Sequence, residues 1–241
     1  MPDVSVLMPV YNVSSYPKGW FSRAIDSVLI YQSCDVELCV VDDCSEDNGL
    51  TQLPPMRGNI INLSCTEKNT GGADACNLAA EMAEGKYFIL LSCRSHYEPE
   101  SITRMARYLD ENPDIGFVYG NTHFHNDQRR PGGEWLKVPP AYKADDFKRY
   151  FASSFGYMYR REAFDNGCRY GCTVWIEEEQ KHTTIADYDF VMQLIFEQKY
   201  EGRHLDFTTL HYHFGGKQMN DLLVKYRPRI QAEFNRKWAA I

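Results

Sequence analysis

The stretch "VELCVVDDCSED" (36–47) decides the fold, because it is a run of apolar residues that ends abruptly in two adjacent carboxylates. Four similar short runs surround it: "VSVLMPV" (4–10), "NIINLSC" (59–65), "KYFILLS" (86–92) and "IGFVYGN" (115–121). Runs rich in Val, Ile, Leu and aromatic residues are typical of strands that are buried on both faces. Stretches with helical periodicity separate them, so the sequence predicts an α/β domain with a mostly parallel sheet.

The helical stretches and a change of texture define the organisation of the chain. Helices are predicted over residues 20–29, 73–83, 99–113 and 187–198. After Asn121 the sequence becomes polar and rich in Pro and Gly, which indicates a long connection inside one domain. We therefore expect a single domain with a first half (1–121), a second half (122–216) and a C-terminal helical segment (217–241).

Composition excludes several classes of protein. With 241 residues, 44% of them hydrophobic, and a formal charge of −7, the chain can bury a large core and has no overall attraction for nucleic acid. It has no apolar run of the ~20 residues that span a bilayer and does not begin like a signal peptide, so we expect a cytoplasmic protein. The eight cysteines form no CxxC pair, which favours reduced thiols and argues against a zinc site built from Cys168, Cys172 and His182.

Polar residues follow three of the predicted strands, at ends that an α/β sheet brings to one edge. They are Pro9 and Tyr11 after the first strand, Asp42 and Asp43 after the second, and Ser92 to His96 after the fourth. Each set has a structural interpretation as turn residues or helix caps, but convergence at the carboxyl edge favours a ligand site. The fingerprint G-x-G-x-x-G is absent after the first strand, which argues against an NAD or FAD enzyme.

Four stretches taken together resemble a known family. "VSVLMPVYN", "CVVDDCSED", "NTGGADACNLAAEMAEGKYFILL" and "IADYDFVMQLIF", in this order, resemble an inverting glycosyltransferase of family 2 with the GT-A fold, from Val4 to about Gly216. The resemblance implies a single Rossmann-like GT-A domain that acts in glycan biosynthesis. It would move a sugar from a nucleotide-sugar donor, a UDP-sugar, to an acceptor hydroxyl with inversion. Glycan, lipid-linked, protein and nucleic-acid acceptors all stay open.

The resemblance also implies roles for single residues in donor binding. Pro9 and Tyr11 would line the base of the nucleotide, and Asp42 would bind the base or ribose while Asp43 supports the loop. Gly71 and Asn77 fall on positions near the donor, although Cys76 stands where the family usually has an arginine.

Asp187 falls on the aspartate that the family uses as its general base. Such a carboxylate takes the proton of the acceptor hydroxyl during an inverting transfer. A helix N-cap is the alternative role for Asp187, and Asp189 is the reserve candidate for the base.

The sequence departs from the family at its Asp-x-Asp motif, which aligns with Ser92, Cys93 and Arg94. These residues offer no carboxylate to Mg²⁺ or Mn²⁺, although a divalent cation bound elsewhere is not excluded. Two explanations compete. Either Arg94 replaces the metal at the diphosphate, assisted by His96 and His213, or the chain is an inactive nucleotide-sugar- or glycan-binding module.

The C-terminal region holds two further candidates. His213 could complete the diphosphate or metal site, with Lys217 nearby, or be an inward-facing histidine at a strand end. Apolar residues recur at helical spacing up to Trp238 with basic residues between them, which would suit contact with a membrane surface or packing on the domain, and Pro228 is expected to interrupt this helix.

Overall fold

The computed structural model describes the larger part of the chain. The described residues are 1–48, 50, 53, 61–125, 135–136, 156–171, 173–179, 181–214 and 225–238. Three residues named above, Cys172, Gly216 and Lys217, lie outside them, as does the greater part of the connection after Asn121. The His182 side chain also lies outside the description.

Helices and strands alternate along the first half as the apolar periodicity predicts. The helices are α1 (Trp20–Leu29), α2 (Gly72–Met82), α3 (Ser101–Glu111), α4 (Glu162–Asp165), α5 (Ala186–Phe196) and α6 (Arg227–Trp238). The strands are β1 (Val4–Val10), β2 (Val36–Asp42), β3 (Ile61–Cys65), β4 (Tyr87–Leu90), β5 (Ser95–Tyr97), β6 (Ile115–His125), β7 (Trp135–Leu136), β8 (Tyr157–Arg160), β9 (Thr173–Ile176), β10 (Lys181–Thr184) and β11 (Glu201–His213).

The described strands form one large mixed sheet and a separate hairpin of β9 and β10. Along the large sheet the order is β3-β2-β1-β4-β8-β6-β11-β5, and the short β7 pairs with β6. Strands β1 to β4 pair in parallel, as do β6 and β11, whereas β8 is antiparallel to both of its neighbours. The predicted mostly parallel α/β sheet is confirmed.

Strand alternation divides the core between the two faces of the sheet. In β1, Leu7 belongs to one hydrophobic cluster while Val6 and Met8 belong to the other. Helices α2, α5 and α6 pack in the first cluster, and α1 and α3 pack in the second. The sheet is therefore covered by helices on both faces. Because β1 pairs in parallel with both β2 and β4, the carboxyl ends of these three strands meet at one edge.

Two expectations about the later part of the chain need correction. The fifth predicted strand continues past Asn121 to His125, because β11 pairs with it until His213 lies opposite His125. Pro228 does not interrupt a helix but lies in the first turn of α6, where a missing backbone N–H costs nothing.

Helix α6 packs on the domain with its apolar side. Ile230, Phe234 and Trp238 are buried in the hydrophobic cluster that also contains α5. That side is therefore not available to a membrane surface. Among the described residues, no helix combines the length and apolar character needed to cross a bilayer.

Candidate active site

The loops that follow β1 and β2 are held together by reciprocal hydrogen bonds. The backbone N–H of Asn12 donates to Ser45 Oγ at 2.8 Å. In return, the backbone N–H of Glu46 donates to the side-chain oxygen Oδ1 of Asn12 at 2.9 Å. Asn12 adopts left-handed backbone geometry (φ 48°), which allows the sharp turn after the strand. Tyr11 and Pro9 lie half-buried beside this junction, and burial raises the pKa of the Tyr11 hydroxyl.

The two adjacent carboxylates at the end of β2 have different surroundings. Asp42 is half-buried, and its Oδ1 accepts hydrogen bonds from the Ser45 N–H and hydroxyl. Asp43 is 4% exposed and accepts from the Thr66 hydroxyl, from the Thr70 N–H and hydroxyl, and from the Gly71 N–H at 2.8 Å. Asp43 therefore holds the loop between β3 and α2, while the more open Asp42 is the carboxylate that a ligand can reach.

Gly71 allows this loop to lead into α2. Its φ of +97° lies in a region that side chains with a Cβ rarely adopt, so a larger residue would strain the turn. Because the Gly71 N–H donates to Asp43, the turn brings the start of α2 against the end of β2.

Asn77 connects α2 to the second half of the chain. Its amide donates to the Tyr170 carbonyl at 2.9 Å and accepts from the Tyr170 N–H at 2.8 Å. Both polar atoms of this side chain, which was predicted to lie near the donor, therefore bond to the Tyr170 backbone. Asn77 thus holds α2 against the second half of the chain.

Cys76 is buried where the first and second halves of the chain pack together. Burial raises the pKa of its thiol, and the negative charges of Asp187 and then Asp43 raise this pKa further. The Tyr157 hydroxyl, on the strand that runs beside the carboxyl end of β4, donates to the Asp187 carbonyl at 3.2 Å. The fold brings the candidate base to the same edge of the sheet as the predicted donor loop.

Asp187 and Asp189 both lie in the first turn of α5, but only Asp187 is partly accessible to solvent. Asp187 is half-buried, and its Oδ1 accepts from the Tyr188 N–H at 2.9 Å. Asp189 is fully buried and accepts hydrogen bonds from Lys237 Nζ at 2.6 Å and Trp238 Nε1 at 2.8 Å. Asp189 therefore anchors α6, and the reserve candidate for the base is excluded.

A tight turn follows β4 where the family motif would lie. Ser92 Oγ accepts the Arg94 N–H at 3.0 Å, and burial raises the pKa of the Cys93 thiol to about 12. Arg94 is 8% exposed, with its Cζ 5.5 Å from the centre of the Tyr212 ring, and no described carboxylate forms an ion pair with it. A hydroxyl, a protonated thiol and a guanidinium do not fit a divalent cation.

Five of the seven histidines form a cluster beside this turn that the sequence analysis missed. They are His96, His123, His125, His211 and His213. His211 lies opposite both His96 and His123 in the sheet, and His213 lies opposite His125. The signal was the pair of His-x-His sequences, "HFH" (123–125) and "HYH" (211–213), because a strand places residues i and i+2 on one face.

Packing within this histidine cluster favours neutral imidazoles. Burial, followed by the charges of neighbouring histidines, lowers the pKa of His96 to about 3 and that of His213 to about 4. The backbone N–H of His213 donates to the backbone carbonyl of Arg94 at 2.8 Å, so the cluster adjoins the turn that carries Arg94.

Comparison with known proteins identifies the family. The sequence profile of Glycosyl transferase family 2 matches residues 5–168, and the chain belongs to this family. It is 30% identical over 120 residues to a chondroitin synthase of Pasteurella multocida (strain Pm70) and, over a stretch of the same length, to a hyaluronan synthase of Pasteurella multocida. These matches cover 49% of the chain and 12% of each synthase, so the chain corresponds to a small part of either protein.

Solved structures confirm the GT-A fold. S. aureus TarS in complex with UDP-GlcNAc superposes with a TM-score of 0.70 at 19% identity, covering 96% of the chain and 66% of that structure. The mannosyltransferase PcManGT from Pyrobaculum calidifontis, in complex with GDP-Man and Mn²⁺, gives a TM-score of 0.66 at 15% identity. This superposition covers 100% of the chain and 65% of the PcManGT structure.

Proposed function

We propose that the chain transfers a sugar from a nucleotide-sugar donor to an acceptor hydroxyl with inversion. The observation that carries this proposal is the position of Asp187, whose carbonyl accepts a hydrogen bond from the Tyr157 hydroxyl at 3.2 Å beside the carboxyl end of β4. This contact supports a position for the Asp187 carboxylate at the edge of the sheet where the donor would bind. Membership of the family supports the reaction class.

The reaction needs a base on one side of the sugar and charge stabilisation on the other. Asp187 accepts the proton of the acceptor hydroxyl while its oxygen forms a bond to the anomeric carbon from the face opposite the nucleotide. The bond from that carbon to the diphosphate oxygen breaks, and the nucleoside diphosphate leaves with the bonding electrons. Its growing negative charge requires a positively charged group.

Arg94 is our candidate for that group, and we propose that no metal ion bound at residues 92–94 takes part in the reaction. Its guanidinium can bond two diphosphate oxygens at once, and none of the described carboxylates neutralises it. The adjoining His213 would assist as a hydrogen-bond donor.

The donor half of the site would bind the nucleotide through Tyr11 and Asp42. Tyr11 offers a half-buried ring, and Asp42 offers the more open of the two carboxylates. We propose a UDP-sugar as donor, which the complexes of TarS with UDP and UDP-GlcNAc support, while the complex of PcManGT with GDP-Man makes GDP-sugars the class to compare. The acceptor and the cytoplasmic location stay predictions.

Donor hydrolysis tests the proposal without knowledge of the acceptor. The purified chain is incubated with a panel of UDP- and GDP-sugars, and release of free nucleoside diphosphate is measured. Slow release from one donor, abolished in Asp187→Asn, is the expected result. Tight binding of a donor without any release, alone or with candidate acceptors, would instead identify a non-catalytic binding module.

A further inference from the structure

Three neighbouring strands of the sheet place imidazole rings side by side. In the order β6, β11, β5 the register sets His123 beside His211 and His211 beside His96. The rings of His123 and His125 stack with their centres 4.3 Å apart, and His125 and His211 lie 5.0 Å apart. Cross-strand neighbours on one face are close enough to share a ligand.

Within this cluster, His123, His125 and His211 bring one ring nitrogen each close to the other two. One ring nitrogen of each lies within 4.8 Å of those of the other two. His125 Nε2 and His211 Nδ1 are 2.8 Å apart, as two nitrogens that share one proton. Tetrahedral coordination by nitrogens at 2.0–2.1 Å from a metal sets them about 3.3 Å apart. Side-chain rotations that turn His123 and His125 out of their parallel stack would allow an ion to replace the shared proton.

Glu98 fixes the ring orientation that such an ion requires. Its carboxylate forms a close hydrogen bond with His211 Nε2, which leaves His211 Nδ1 with a lone pair facing His125. A carboxylate on the far nitrogen of a metal-binding histidine sets the tautomer and increases its basicity.

We propose that His123, His125 and His211 form a binding site for a borderline transition-metal ion of the Zn²⁺ type, with Glu98 holding His211 from behind. Three protein nitrogens leave a fourth position for water or another oxygen ligand. Imidazole suits Zn²⁺, Co²⁺, Ni²⁺ and Cu²⁺, whereas Mg²⁺ and Mn²⁺ prefer the oxygen ligands that the cluster lacks.

The bound ion would clamp the ends of β6 and β11 together. These strand ends support the turn after β4, because the His213 N–H donates to the Arg94 carbonyl. The proposal is independent of sugar transfer, since it assigns the ion no step in that reaction and can be tested without a donor.

Cobalt binding is the direct test. The full chain is stripped with a chelator, dialysed and titrated with Co²⁺, and the visible absorption of the bound ion is recorded. Zinc content is then measured after equilibration with Zn²⁺ and gel filtration. We expect one equivalent of either metal per chain and an absorption band typical of four-coordinate Co²⁺.

Matched variants locate the site. His125→Gln and His211→Gln should each weaken binding by about tenfold or more, and Glu98→Gln by about 10–100-fold. His204→Gln is the control, because His204 pairs with Asn121 on the same sheet outside the cluster and its loss should leave binding unchanged. Equal binding by the His211→Gln and His204→Gln variants would overturn the proposal.

Thermal unfolding shows whether a variant that loses metal binding is still folded. Zn²⁺ should raise the Tm of the unmodified chain and of His204→Gln, and leave the Tm of His125→Gln and His211→Gln unchanged. If the unmodified chain binds no Co²⁺ and gains no stability from Zn²⁺, the cluster is a hydrogen-bonded histidine network only and the proposal is wrong.

Discussion

At the scale of single residues, the half-buried carboxylate of Asp187 is the group on which sugar transfer would depend. Asp187→Asn keeps the size and the hydrogen bond to the Tyr188 N–H but removes the base. We expect turnover to fall by about a hundredfold or more with donor affinity nearly unchanged. Steady-state kinetics and donor titration measure the two quantities, with the exposed Asp165→Asn as control. Comparable turnover in the Asp187 variant would remove it from this role.

The buried guanidinium of Arg94 gives a second residue-level prediction. Excess EDTA should change turnover little, whereas Arg94→Ala should lower turnover severely. Arg94→Lys should keep only part of the turnover of the unmodified chain, because the lysine ammonium cannot form two parallel hydrogen bonds. Arg107→Ala, at an exposed position on α3, is the matched control.

A chelator would also empty the proposed site in the histidine cluster. The same assay on His211→Gln separates that loss from any effect at Arg94. If the unmodified chain is silent in EDTA and regains activity with Mn²⁺ or Mg²⁺, the assignment of Arg94 as the charge-stabilising group is wrong.

Asp42 offers a test of donor binding that leaves the chemistry untouched. Asp42→Ala should weaken nucleotide binding by ~1–3 kcal/mol, since a polar partner of the base or ribose is lost. Calorimetry with UDP measures the change. Glu67→Ala is the control, because it removes an exposed carboxylate from the neighbouring loop and leaves the contacts of Asp42 in place. Unchanged affinity in the Asp42 variant would make it a structural cap.

At the scale of elements, the contact between α5 and α6 depends on one buried carboxylate. Asp189 is 0% exposed, and Lys237, whose side chain is 41% exposed, donates to it at 2.6 Å. Lys237→Met should lower the free energy of unfolding by about 1.5–3 kcal/mol, because the buried charge loses a charged partner. Arg236→Met is the control, since its pair with Glu233 is largely exposed and should contribute under ~1 kcal/mol. Urea unfolding followed by circular dichroism compares them, and equal losses would contradict this role of Asp189.

At the scale of the whole molecule, β8 joins the two halves into one sheet. It pairs with β4 on one side and β6 on the other, although it follows both in sequence by many residues. A fragment of residues 1–121 would leave both partners with an unpaired edge. We expect this fragment to show no cooperative urea unfolding, whereas the full chain unfolds cooperatively. A cooperative transition in the fragment would show that the first half folds alone.

Much of this architecture could be predicted from local sequence. The apolar runs of β1, β2 and β4 and the amphipathic spacing of α1 are local patterns, because burial demands them in any sheet covered by helices. The order of motifs also predicted the family and the GT-A fold, which the profile match and the superpositions confirm.

Tertiary structure decided which of several equivalent residues can reach a ligand. Asp187 and Asp189 are both acids in the first turn of α5, and only the packing of α6 shows that Asp189 is neutralised by Lys237. Local sequence also does not reveal that β8 lies between β4 and β6 in the sheet, because pairing partners are chosen by long-range contacts. The same holds for the histidine cluster. Each His-x-His pair is visible in the sequence, but the register of β11 between β5 and β6 brings their rings together, and that register is a property of the folded sheet.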